Sequence, residues 1–170
     1  NIFYEKYVKL ENDLKIKTIL KKIDLKTVKK LKKFNLFKNQ TFVEFPEQGF
    51  RELDLITSTV KRLGGGLLLI DYGFLKQKGS NTLQSIKNHK KNKLFENIGD
   101  ADITSLVNFN LLKNYFKQKN LLINEVVTQE FFLKKMGIIN RAEILSKKMS
   151  FQKKSEIYYR LQRLVGPKQM

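Results

Sequence analysis

Four consecutive aliphatic residues, Leu67-Leu68-Leu69-Ile70, stand between the glycine triplet Gly64-Gly65-Gly66 and the sequence Asp71-Tyr72-Gly73. A run without polar interruption cannot alternate between core and water. As a strand it needs cover on both faces, the condition of an interior parallel strand. The preceding residues fit that reading. Thr41-Phe42-Val43-Glu44-Phe45 has the composition of a short strand and ends at Pro46, which suits the first turn of a helix. Phe50, Leu53, Ile56, Val60 and Leu63 then recur at helical spacing until Gly64 and Gly65 stop the pattern. Strand, helix and buried strand make a βαβ unit, so the sequence predicts an α/β fold.

In open α/β sheets, ligands bind beyond the carboxyl ends of the strands. Asp71 stands at that position, where a carboxylate can accept hydrogen bonds from a cofactor, a guanidinium or an amine. The same three residues also fit an ordinary turn, with Asp71 capping a loop and Gly73 supplying a positive φ. Spacing alone leaves both readings open.

The rest of the chain continues the mixed pattern. Phe3 to Leu20 reads as two strands around a turn at Asn12-Asp13, with Leu14, Ile16, Thr18 and Leu20 on one face. Asp24 is a suitable N-cap for a lysine-rich helix over Leu25 to Lys33, carrying Leu25, Val28 and Leu31. Residues 74–104 are polar and long enough to predict a functional loop or lid. Asn108 can cap a helix through about Lys119, with Phe109, Leu112 and Phe116 inward. Leu121 to Val127 reads as a strand, and Thr128-Gln129 leads into a helical run over Phe131, Phe132, Leu133 and Met136 that stops at Gly137. Two helices follow, over Arg141 to Lys148 and over Phe151 to Leu164. The second carries Ile157, Leu161 and Leu164 as its stripe, and Gly166-Pro167 breaks the pattern.

Composition removes several chemistries. A chain of 170 residues fits one domain or a large piece of one. The absence of cysteine excludes disulfide scaffolds, thiolate metal sites and cysteine nucleophiles. His89 is the single histidine, so a two-histidine metal motif is excluded and no metal site is expected. No serine elbow accompanies it, and neither a P-loop nor a G-x-G-x-x-G fingerprint is present. Asp100 and Asp102 read as capping or solvated groups before they read as an acid–base pair. No apolar run approaches the ~20 residues that a spanning helix requires. No cleavable signal pattern is seen, which suits a cytoplasmic or matrix location.

The 34 basic residues against 16 acidic give a net charge of +18. The positive charge is overwhelmingly lysine spread along the chain, while arginine, the better bidentate phosphate and base reader, is scarce. Nucleic acid is therefore not an expected partner; a basic RNA-binding or membrane-surface module is the alternative that rests on charge alone. The thirteen phenylalanines fall mostly at helical spacing and read as core.

The order Gly65-Gly66-Leu67-Leu68-Leu69-Ile70-Asp71-Tyr72-Gly73, then Thr82-Leu83-Gln84-Ser85-Ile86-Lys87-Asn88-His89, resembles the MidA-type S-adenosylmethionine-dependent methyltransferases. So do Gly99-Asp100-Ala101-Asp102-Ile103-Thr104, Thr128-Gln129 with Phe131-Phe132-Leu133, Gly137-Ile138 with Arg141-Ala142, and Arg163-Leu164 with Gly166-Pro167. The resemblance implies a partial Rossmann-like (class I) methyltransferase sheet with additional helices. It also implies a relation to the mitochondrial assembly factor of respiratory complex I that methylates an arginine side chain. The implied partner is a protein substrate, a complex I subunit among the candidates. The implied location is the mitochondrial matrix in a eukaryote and the cytoplasm in a bacterium.

Within the resemblance, Asp71 takes the catalytic position, with Tyr72 shaping the pocket. Methyl transfer needs in-line placement of a nitrogen lone pair, and a carboxylate beside a guanidinium can orient it. Gly73, Thr82, Gln84, His89 and Asp102 fall on the substrate side, and Thr128 and Gln129 close it from the next strand end. The chain departs from the family pattern at Leu106 and Asn108, where a histidine and an aspartate are usual, and at Ile98 and Glu130. The glycine-rich loop and the acidic strand end that hold the cofactor are not found, so no residue is assigned to S-adenosylmethionine. Residues 1–170 thus read as the C-terminal part of a single methyltransferase domain, lacking the cofactor-binding half and the final strand. By itself such a piece is expected to be inactive. A non-catalytic complex I assembly protein on the same fold is the alternative.

Overall fold

The computed structural model describes residues 2–12, 15–36, 42–76, 79 and 81–166. The chain divides into two compact units, Asn1–Ile123 and Asn124–Met170. The first unit opens with an antiparallel hairpin of β1 (Tyr4–Leu10) and β2 (Ile16–Lys22), in register from Tyr4 opposite Lys22 to Leu10 opposite Ile16. Asp13 and Leu14 lie outside the described residues. No apolar face forms as the alternation predicts: β1 is exposed throughout, Leu20 is exposed, and Ile16 and Ile19 are half-buried.

Asp24 caps α1 (Leu25–Lys33) as expected, its carboxylate accepting the Thr27 N–H at 2.8 Å and the Thr27 hydroxyl at 2.7 Å. Val28 and Leu31 face inward, while Leu25 stays exposed on the first turn. Pro46 precedes α2 (Glu47–Leu63), matching the predicted helix. The core collects Leu31, Leu36, Phe50, Leu111 and Tyr115, with Phe34, Val43, Phe45, Leu53, Leu112 and Phe116 packed around them. Phe50 is its centre, with ring centroids 5.6 Å from Phe34, 5.1 Å from Phe45 and 4.7 Å from Tyr115, within the range where aromatic pairs attract beyond their buried area.

The long polar connection is not an open loop or lid. It contains β4 (Gln84–Lys87), β5 (Lys90–Asn92) and β6 (Asp102–Thr104), an antiparallel sheet in the order β5-β4-β6. A separate two-stranded parallel pair joins β3 (Gly73–Phe74) to β7 (Val107–Asn108). Asn108 also caps α3 (Phe109–Gln118), accepting the Leu111 N–H at 3.0 Å. The buried residues of α3 are Leu111 and Tyr115, with Leu112 and Phe116 beside them; the expected stripe was rotated by about one position.

The interior strand does not form. Leu67, Leu68, Leu69 and Ile70 have irregular backbone and are 41%, 65%, 39% and 71% exposed. Residues 42–45 form no strand either, and Thr41 lies outside the described residues. A strand needs hydrogen-bonding neighbours at its edges, and none of the described residues pairs with the aliphatic run. The fold is mixed α/β with small sheets, and among the described residues parallel pairing is confined to β3 and β7.

The second unit contains α4 (Gln129–Lys135), α5 (Ile138–Ser146) and α6 (Phe151–Val165) around Ala142, Leu161 and Val165, with Leu133, Ile138, Ile139 and Ile157 packed against them. Gly137 separates α4 from α5 with φ 82°, the left-handed conformation expected of a helix stop. On α6 the inward stripe runs Ile157, Leu161, Val165 in steps of four, leaving Leu164 exposed. Leu121 to Val127 is irregular instead of a strand, with Leu122 fully exposed, and Pro167 lies outside the described residues. Among the described residues, no helix is long and apolar enough to cross a membrane.

Candidate functional site

Gly73 fixes the local geometry of the first unit. The Val107 N–H donates to the Tyr72 carbonyl at 2.8 Å, drawing the two backbones together. A Cβ on Gly73 would stand 2.1 Å from the Val107 carbonyl oxygen and 2.6 Å from the Phe109 ring. The glycine is required by close approach of backbone and ring. It is not among the residues with positive φ, which corrects the turn reading from sequence.

Asp71 and Tyr72 are exposed at the end of the aliphatic run. The Asp71 carboxylate accepts the Tyr72 N–H at 2.7 Å through one oxygen. A carboxylate in this state keeps lone pairs for an incoming N–H donor.

Thr82 is anchored to Glu44. Its N–H donates to Glu44 Oε1 at 2.8 Å and its hydroxyl to Glu44 Oε2 at 2.6 Å. The same hydroxyl oxygen accepts the Leu106 N–H at 3.0 Å. The consecutive amides of Leu106 and Val107 are therefore taken by Thr82 and Tyr72, so the structure brings Thr82 and the Asp71–Gly73 bend to one strand segment. Gln84, two residues on, donates from Nε2 to the Thr104 hydroxyl at 3.2 Å across β4 and β6.

Other candidate residues occupy different places. Asn88 and His89 form the two-residue turn between β4 and β5, with φ 50° and 61°, as tight hairpins demand. β4 runs about 10 Å from Gln84 to Lys87, carrying His89 away from Thr82. Asp102 is exposed on β6 opposite Ile86, and Asp100 pairs with Lys87 at 3.3 Å. Thr128 and Gln129 belong to the second unit. Thr128 caps α4 by accepting the Phe131 N–H at 3.3 Å, and Gln129 donates to the Leu164 carbonyl at 3.0 Å. No group of acidic and histidine side chains among the described residues is arranged to hold a metal ion.

The positions that depart from the family pattern have local duties: Leu106 offers its amide to Thr82, and Asn108 caps α3. Sequence reasoning passed over Glu44. Its signal was a single acid between Val43 and Phe45, both of which pack on the core, while Glu44 itself reaches Thr82.

S-adenosylmethionine does not fit the described residues by themselves. Gly64, Gly65 and Gly66 have nothing within 4 Å of a would-be Cβ, and they follow a helix instead of leading from a strand into one. They thus meet the C-terminal end of a helix, not the N-terminal amides that glycine-rich loops offer a charged cofactor.

Curated relatives share part of this sequence. The mitochondrial protein arginine methyltransferase NDUFAF7 of Xenopus tropicalis is 32% identical over 95 residues, covering 56% of this chain and 22% of the relative. The Danio rerio protein of the same name is 28% identical over 115 residues, covering 68% of this chain and 27% of the relative. The Caenorhabditis elegans homologue is 31% identical over 111 residues, covering 65% and 26%. The chain thus spans about a quarter of the length of these relatives. Residues 3–126, well over half of the chain, match the family described as "Putative S-adenosyl-L-methionine-dependent methyltransferase", and the chain belongs to that family.

Proposed function

We propose that residues 1–170 form the substrate-side, C-terminal part of a single protein arginine methyltransferase domain, with the cofactor-binding half and final strand contributed by the rest of a longer protein. The observation that carries this reading is the exposed Asp71 carboxylate at the end of the aliphatic run, fixed beside the β3–β7 pair. The exposed side chains of Leu67–Ile70 support it, since such a run gains most from neighbours on both faces. The names of the relatives support the arginine acceptor.

In this role Asp71 accepts two N–H groups of a guanidinium, the planar bidentate geometry that carboxylates offer arginine. That contact orients the acceptor nitrogen. The exposed Tyr72 ring flanks the same group. Gln84, two residues beyond the anchored Thr82, lies on the substrate side. S-adenosylmethionine supplies the methyl group in the whole enzyme. The acceptor is an arginine of a complex I subunit, in the mitochondrial matrix of a eukaryote or the cytoplasm of a bacterium.

A second reading, an assembly protein that binds such a subunit without modifying it, draws on the position of Gly64–Gly66 behind a helix and on the departures at Leu106 and Asn108. Calorimetric titration of the full-length protein with S-adenosylmethionine, with mass spectrometry of complex I subunits with and without the gene, separates the two. Cofactor binding and a gene-dependent methylarginine are expected. Subunit binding without either selects the assembly protein.

A further inference from the structure

We infer that Glu44 is a positioning residue for the Asp71–Tyr72–Gly73 bend, acting through Thr82; the inference rests on the arginine-site reading above. The chain of contacts is continuous. Glu44 accepts both the N–H and the hydroxyl hydrogen of Thr82, at 2.8 and 2.6 Å. With its one hydrogen committed, the Thr82 hydroxyl can only accept from other partners, and it takes the Leu106 N–H at 3.0 Å. That bond seats Leu106, and the next amide, Val107, holds the Tyr72 carbonyl at 2.8 Å. Tyr72 in turn gives its own N–H to Asp71. Four linked steps connect a carboxylate on one side of Thr82 to the carboxylate proposed to meet substrate.

Three features set this arrangement apart from an incidental surface contact. Glu44, Thr82 and Leu106 are all partly buried, so solvent competes weakly for their hydrogen bonds. Both Glu44 oxygens are used by one residue, a two-point grip that fixes direction as well as distance. Val43 and Phe45 anchor the backbone on either side of Glu44 in the core. Thr82 therefore works as the middle of a brace, its hydroxyl hydrogen committed to Glu44.

The test uses the full chain, labelled with 15N, as wild type, Glu44→Leu, Thr82→Val and Thr82→Ser. Amide hydrogen exchange is expected to quicken more than tenfold at Thr82 and Leu106 in Glu44→Leu, and at Leu106 in Thr82→Val. The Asp71 and Tyr72 amide resonances should move in both. Thr82→Ser keeps the hydroxyl and should behave as wild type, and protection at Leu31 and Tyr115 should be unchanged throughout. Unchanged Leu106 exchange in Thr82→Val, or unmoved Asp71 and Tyr72 resonances in Glu44→Leu, overturns the inference. If Glu44→Leu does not fold, Thr82→Val gives both readouts. Titration with N-acetylarginine amide is expected to shift Asp71 in the wild type and to need at least tenfold more probe in Thr82→Val. Absence of any response in the wild type overturns the arginine-site reading, while the exchange data decide the hold of Glu44 on the bend independently.

Discussion

The Tyr115 hydroxyl donates to Asp54 Oδ1 at 2.5 Å, and the same oxygen meets Lys119 Nζ at 2.5 Å. One carboxylate on α2 thereby receives two donors, one from α3 and one from its C-cap, at the rim of the aromatic core. Lys119 also stands 5.4 Å over the Tyr115 ring. The two donors hold the Asp54 carboxyl below its ordinary range, Lys119 first and Tyr115 second. Burial, followed by the bond to Asp54, pushes the Tyr115 hydroxyl from 10.0 up to about 12.

These shifts set a pH dependence. The folded state holds the Tyr115 proton more tightly than the unfolded chain, so its contribution is complete below pH 10 and fades as pH rises towards about 12. The loss is on the order of 2 kcal/mol. Asp54 behaves oppositely: its contribution is present above the ordinary carboxylate pKa and disappears as pH falls through the lowered folded value. Urea unfolding of wild type and Tyr115→Phe between pH 9 and 12 should show a steeper decline in the wild type, with the variant about 1 kcal/mol less stable at neutral pH. Parallel curves would remove Tyr115 from the account.

Gly73→Ala places a methyl group against the Val107 carbonyl and the Phe109 ring. Neither the backbone nor a ring at the start of α3 can turn aside freely. The variant is expected to lose about 2–3 kcal/mol, together with the exchange protection of the Val107 amide. A stability within 0.5 kcal/mol of wild type, measured by urea unfolding, would show that the β3–β7 pair yields easily.

Asp71→Asn tests the carboxylate separately from the fold. The amide oxygen of asparagine can still accept the Tyr72 N–H, so the chain's spectrum and unfolding midpoint should be retained. If the full-length protein carries the proposed arginine site, methyl transfer should fall roughly 10²-fold, as expected for a misoriented acceptor. Undiminished transfer would move the acceptor site elsewhere.

The aliphatic run makes its own prediction. Leu68 and Ile70 are the most exposed of the four, so in this chain Leu68→Ser with Ile70→Ser should leave the unfolding midpoint within about 0.5 kcal/mol of wild type. Fluorescence of a dye that binds apolar surface should fall in the double variant. In the full-length protein the same pair should destabilise strongly if a sheet covers these residues. Equal effects in both settings would contradict the partial-sheet reading.

Local features were legible in the sequence because they depend on a few neighbouring residues. Asp24 and Asn108 each accept the N–H three residues ahead, as their side-chain chemistry and placement suggest, whereas Thr128, expected on the substrate side, also caps a helix. Gly137 adopts the left-handed conformation of a helix stop, and β1 and β2 pair antiparallel as expected. Features that depend on distant partners were less visible. Leu67–Ile70 has the composition of an interior strand, but pairing depends on neighbours rather than composition. The rotation of α3 by one position arose because Leu111 and Tyr115 face Phe50 across a core that no local pattern specifies. Glu44 was missed for the same reason: its partner Thr82 lies 38 residues away.

Asn108 has a further consequence. It is paired with Phe74 as the last residue of β7, and its side chain closes the first turn of α3. Strand and helix meet at this residue with no spacer between them. Any side chain that replaces Asn108 must therefore satisfy the last pairing of a strand and the first turn of a helix at the same time.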